Sequence, residues 1–163
     1  MRLKDKVAII TGAGSGNGAA IAQGFLKEGA KVVFADLDIT SAQIKATESG
    51  YDQKYWLAVE VDVSNPESVR SLISKTLEAF SKLDILVANA GITIRKSFLN
   101  LTERDYDRVM DVNAKGVFLC SQEAARVMSE QGKGSIIHMS SITSVLAEEM
   151  PFNMELPKEQ LLP

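Results

Sequence analysis

The stretch from Val7 to Gly18 constrains this chain more than any other, because the apolar run VAII leads straight into TGAGSGNG. An apolar run this short, with no polar alternation, predicts a strand buried on both faces of a parallel sheet. After the glycines, apolar spacing resumes with Ile21 and Phe25 one helical turn apart, which predicts a helix from about Gly16 to Glu28 that stops at Gly29. Strand, glycine-rich turn and helix together place unpaired backbone N–H groups beside the strand's carboxyl end. Such a corner suits an anion, and the pyrophosphate of a dinucleotide is the anion this order of elements points to. Gly12 permits the tight turn, with Ser15 inside the same loop. Gly16 and Gly18 remove side chains where backbone must approach phosphate and helix must pack on strand. The amides of Asn17 and Gly18 would then face the anion.

The same alternation continues along the chain. Strands are predicted at Lys31 to Ala35, Tyr55 to Val61, Asp84 to Val87 and Ser135 to Met139, and helices at about Thr40 to Ser49, Asn65 to Phe80 and Thr102 to Met128. The helix from Asn65 has the clearest signature: Pro66 in its first turn, a capping box of Ser64 with Glu67, and an apolar stripe of Val69, Leu72, Ile73, Leu77 and Phe80. Thr102 is the expected N-cap of the last helix. Strands alternating with helices predict an α/β fold, a doubly wound parallel sheet covered on both faces, with strand order 3-2-1-4-5.

Composition narrows the function classes. A net charge of −3 over 163 residues gives no electrostatic reason to expect nucleic acid or a membrane surface as partner. The opening residues MRLKDK are charged, and the apolar run behind them is too short for a signal segment or a membrane span, so the cytoplasm is the expected location. Cys120 and His138 are the only residues of their kinds, which leaves no internal disulfide and no histidine-rich metal site. Cys120 follows VFL and is expected to be a buried, inert thiol. His138 lies along a strand and is expected to be packed rather than catalytic.

Asp36 ends the second strand, 24 residues after Gly12. A carboxylate there can accept both ribose hydroxyls of an adenosine and would repel a 2′-phosphate. Leu37 and Asp38 follow it, with no arginine, so NAD is predicted rather than NADP. A purely structural reading stays open, in which the glycines punctuate a connection and Asp36 is a solvated strand end. The alternating glycines Gly12, Gly14, Gly16 and Gly18 also allow a nucleoside-cofactor methyltransferase turn, against which Thr11 stands where such proteins carry an acidic residue.

At this point the residues resemble the short-chain dehydrogenase/reductase family over about residues 3 to 147, the expected dinucleotide-binding domain. The turn from Thr11 to Gly18 is similar to that family's T-G-x-x-x-G-x-G, with Asn17 in place of its usual isoleucine. Asp62 and Val63 resemble the pair that contacts the adenine ring. Asn89, Ala90 and Gly91 are similar to the family's N-N-A-G, with Ala88 replacing the first asparagine. Asn113 in DVNAKGVF matches the asparagine of the central helix, and HMSSI resembles the segment that carries the active-site serine, at Ser141. The resemblance implies a small-molecule alcohol or ketone substrate, hydride transfer to or from the nicotinamide, and a homodimer or homotetramer. Ser141 would hydrogen-bond the substrate oxygen, and Asn113 would help to hold a proton-relay water. Each of these residues also has a plainer reading, with Asn89 closing a turn and Asn113 bonded structurally in mid-helix.

The family's proton carrier is a tyrosine whose phenolate is stabilised by a lysine four residues on. Tyr51, Tyr55 and Tyr106 all precede Ser141, and none has lysine at that offset. The tyrosine's expected place lies near Phe152 to Met154. Residues 148–163, EMPFNMELPKEQLLP after Glu148, resemble instead a substrate-covering segment found later in such enzymes. The expectation is that an internal stretch is missing after about residue 148 and that the fifth strand is left as an apolar edge, with Ile136 and Ile137 on opposite faces. A catalytically inactive nucleotide-binding relic is the alternative to an active oxidoreductase.

Overall fold

The computed structural model describes residues 1–141. Five strands, β1 (Val7–Thr11), β2 (Lys31–Asp36), β3 (Trp56–Glu60), β4 (Ile85–Ala88) and β5 (Ser135–His138), form one parallel sheet in the order β3-β2-β1-β4-β5. Five α-helices connect or flank them: α1 (Gly16–Lys27), α2 (Ile39–Glu48), α3 (Pro66–Phe80), α4 (Glu103–Met110) and α5 (Val117–Glu130). The segment that resembles a substrate cover, residues 148–163, lies outside the described residues.

The unbroken apolar runs have a simple cause. Successive strand residues face opposite sides, and here both sides are covered. Ile9, Val33 and Leu86 meet Val69 and Leu72 of α3 and Ala124 of α5. Ala8, Ile10, Val32 and Phe34 meet Leu26 of α1 and Ala42 and Ala46 of α2 on the other face. Each such aliphatic side chain contributes about 1.5–3 kcal/mol by leaving water. Because the strands are parallel, every loop at the carboxyl ends of β1, β2, β3 and β4 is gathered at one end of the sheet.

Three local expectations are corrected. The N-cap of α3 is Asn65, not Ser64: its Oδ1 accepts from the amides of Glu67 and Ser68. Pro66 at the first helical position forces the residue before it into extended backbone, and Asn65 has φ −105 and ψ 117. The Ser64 amide and hydroxyl both donate to Asp62 Oδ1 instead.

The helix predicted over Thr102 to Met128 is helical throughout, yet a π turn at Asp111–Gly116 divides it into α4 and α5. Thr102 caps α4 as expected, in a box with Asp105. His138 is exposed rather than packed, its Nε2 2.8 Å from Ser121 Oγ. The reason is its place on β5, the outermost strand of the sheet among the described residues. On that strand Ile136 packs against the core while Ile137 stays 41% exposed. Cys120 is buried, and that burial pushes its thiol up to about 12.

Candidate functional site

A cleft of about 390 Å3 opens over the carboxyl ends of the central strands. Its floor is the turn after β1. Gly12 bends there with φ +67, a conformation that side chains rarely adopt. Gly18, in the first turn of α1, lies so close that a Cβ would stand 2.0 Å from Gly12 O and 2.7 Å from Asn89 Nδ2. Only glycine lets the helix start pack onto the strand end in this way. The first i→i−4 bond runs from the Ala19 amide to Ser15 O, so the amides just ahead of it stand at the open end of the helix.

Asp36, at the end of β2, forms one wall. Its Oδ2 accepts from the Gly14 amide at 2.7 Å and its Oδ1 from the Asp38 amide at 3.1 Å. Asp38 is the N-cap of α2, where the Ser41 hydroxyl and then the Ser41 and Thr40 amides hold its carboxyl below the usual carboxylate range. At this end of the cleft the lining carboxylate is that of Asp36, and no lysine or arginine is among the lining residues. Asp62 and Val63, after β3, form the wall beyond Leu37.

Opposite them, Thr11 ties β1 to the loop after β4. Its Oγ1 accepts from the amides of Asn89 and Ala90, each at 3.0 Å, while Asn89 Nδ2 donates to Thr11 O at 2.9 Å. From the π turn, Asn113 Oδ1 accepts from the Ile92 amide at 2.8 Å, and its Nδ2 donates to Ile92 O at 2.9 Å. Each end of that carboxamide thus engages the backbone of Ile92. A second cleft of about 320 Å3 adjoins the first, lined by Asn113, Val117, Met139, Ser140 and Ser141 together with Asn17 and residues 89–91.

The family model described as "short chain dehydrogenase" matches residues 6–152. The chain belongs to the short-chain dehydrogenase family. It is 34% identical over 145 residues to an NAD-dependent glycerol dehydrogenase of Listeria innocua, an alignment covering 89% of this chain and 56% of that protein. A crystal structure of a short-chain dehydrogenase/reductase from Mycobacterium marinum superposes with a TM-score of 0.86 at 33% identity, over 91% of this chain and 59% of the other. A 3-ketoacyl-(acyl-carrier-protein) reductase from Brucella melitensis, solved with NADH, gives 0.82 at 37% identity, over 87% of this chain and 60% of the other. The chain spans little more than half the length of the curated relatives it matches, 51% to 57% among the most similar.

Within this short-chain dehydrogenase fold, the structure brings the sequence-predicted residues together. Gly12, Ser15, Gly16, Asn17, Gly18, Asp36, Leu37, Asp62, Val63, Asn89, Ala90 and Gly91 all line the first cleft, and Asn113 and Ser141 share the second. Sequence reasoning missed Val61, Ile92 and Val112, which also line the first cleft. Each is adjacent to a motif residue, and that adjacency was the only signal available for them. The structure also shows that Gly14, placed by spacing alone, is the residue whose amide holds Asp36. Among the described residues no group of three or more His, Cys, Asp or Glu could hold a metal ion, and no helix is long and apolar enough to cross a membrane.

Proposed function

We propose that the first cleft binds NAD with its adenosine ribose at Asp36 and its pyrophosphate at the start of α1, in an oxidoreductase that interconverts an alcohol and a carbonyl. One observation carries this reading: twelve residues drawn from four separate loops line a single cleft, with a carboxylate and no cation at its ribose end. Each Asp36 oxygen accepts one amide and keeps lone-pair capacity for a hydroxyl. A 2′-phosphate would face Asp36 with no cation among the lining residues to balance it. The name of the Listeria relative and the NADH of the Brucella structure support the same choice.

When bound, the nicotinamide supplies hydride transfer at the substrate carbon. The chain's own residues bind and orient. Ser141, on the second cleft, hydrogen-bonds the substrate oxygen. Asn113 is a positioning residue, because its carboxamide is committed to Ile92 and holds the loop after β4 against the π turn. With one N–H and one lone pair beyond those two bonds, the same carboxamide would help to hold a proton-relay water. Exposed Tyr106, Met110 and Phe118 on the α4–α5 run support a homo-oligomer, checked by sedimentation equilibrium.

A second reading rests on one specific fact. The 163 residues contain no tyrosine with lysine four residues on, and a polypeptide of these residues alone would bind the dinucleotide without turnover. Titration with both cofactors tests the first reading, and tighter binding of NADP than of NAD overturns it. NADH formation from any alcohol by these 163 residues overturns the second.

A further inference from the structure

Asn17 is the one departure from the family's glycine-rich turn, with a carboxamide standing where the pattern has isoleucine. Its position gives that carboxamide a use. The first cleft alone contains Asp36 and Leu37, and the second alone contains Asn113 and Ser141. Asn17, Asn89, Ala90 and Gly91 line both clefts and so mark the passage between them. Of these four, Asn89 has its amide nitrogen committed to Thr11 O and Gly12 O, and Ala90 and Gly91 have no polar side chain. The exposed Asn17 carboxamide makes no hydrogen bond within the described residues. It offers two donors and an acceptor at the junction.

We infer that the Asn17 side chain hydrogen-bonds the nicotinamide half of the dinucleotide, and so positions the reacting ring over the second cleft. The inference rests on the NAD reading above. A ligand with one ribose at Asp36 and its reacting end near Ser141 has to pass this residue. Isoleucine at the same place can only pack. The contact therefore adds to the backbone amides, which act on the pyrophosphate whatever side chain stands at 17.

The test compares ADP with NAD on the 163-residue chain and on Asn17→Ile and Asn17→Leu, by calorimetric titration. ADP keeps the adenosine and pyrophosphate and lacks the nicotinamide half. Both variants are expected to bind NAD roughly three- to ten-fold more weakly, the size of one hydrogen bond, with ADP affinity held within about two-fold. Retained ADP binding also certifies that the turn is folded. Unchanged NAD affinity overturns the inference, and so does an equal loss for ADP. Failure of the unmutated chain to bind either ligand sinks the NAD reading itself, which is a different outcome.

Discussion

The amide of Gly14 donates to Asp36 Oδ2 at 2.7 Å, and a Cβ on Gly14 would stand 2.9 Å from that same oxygen. The turn after β1 and the end of β2 are thus joined by a contact that leaves no room for a side chain at position 14 unless Asp36 moves.

Gly14→Ala is therefore expected to push the Asp36 carboxylate away and to remove a charge-assisted bond. Such bonds contribute about 1.5–3 kcal/mol to the folded chain, and NAD affinity should fall as Asp36 loses its orientation. The ratio of NAD to NADP affinity should fall with it. Titration of both cofactors checks this. Unaltered selectivity would mean that Asp36 holds its orientation without the Gly14 amide.

Asn113→Ala removes both bonds to the Ile92 backbone. Hydrogen exchange at the Ile92 amide is expected to quicken about tenfold or more, since one protecting hydrogen bond contributes about 1 kcal/mol and its partner is lost as well. Exchange at the Ile9 amide in the sheet core should change little. Equal acceleration at both sites would show general unfolding and not a local release.

Asp84 is a buried carboxylate at the foot of the sheet, 5% exposed, accepting from the Val7 amide at 2.9 Å and from Lys82 at 2.8 Å, with Lys6 at 3.5 Å. Burial pushes its pKa up, but the Lys82 hydrogen bond, the Val7 amide and the two lysine charges outweigh that and hold it below the usual carboxylate range. A carboxyl with a lowered folded pKa stabilises above its unfolded value, and that contribution disappears as pH falls through the folded value. Asp84→Ala should cost about 1–3 kcal/mol at neutral pH by leaving the Val7 amide unsatisfied. Urea denaturation from about pH 5 down to about pH 2 should show the gap between the two proteins narrowing. A gap that widens on acidification would contradict the assignment.

Burial pushes the Cys120 thiol up to about 12. The thiolate is the reactive form, so iodoacetamide should leave the folded chain unlabelled at about pH 8 and label it on denaturation. Fast labelling of the native chain would place the thiol in solvent.

The sequence by itself determined the layer plan and the end of the sheet at which the site lies. Apolar runs, glycine stops and N-cap residues act within a few positions, and the strand–helix alternation leaves a parallel sheet as its consequence. Even locally, the capping box read at Ser64 lost to Asn65, because proline restricts the residue before it more strongly than a hydroxyl attracts an amide. Only the tertiary structure decided how the loops engage one another. The Asn89 tie to Thr11 and the Asn113 grip on Ile92 join residues far apart in the chain, and their bonds exist only once the sheet order brings those loops together. His138 shows the same point in reverse. Its strand was legible from the sequence, but its exposure was not, because exposure depends on which strand lies at the edge of the sheet.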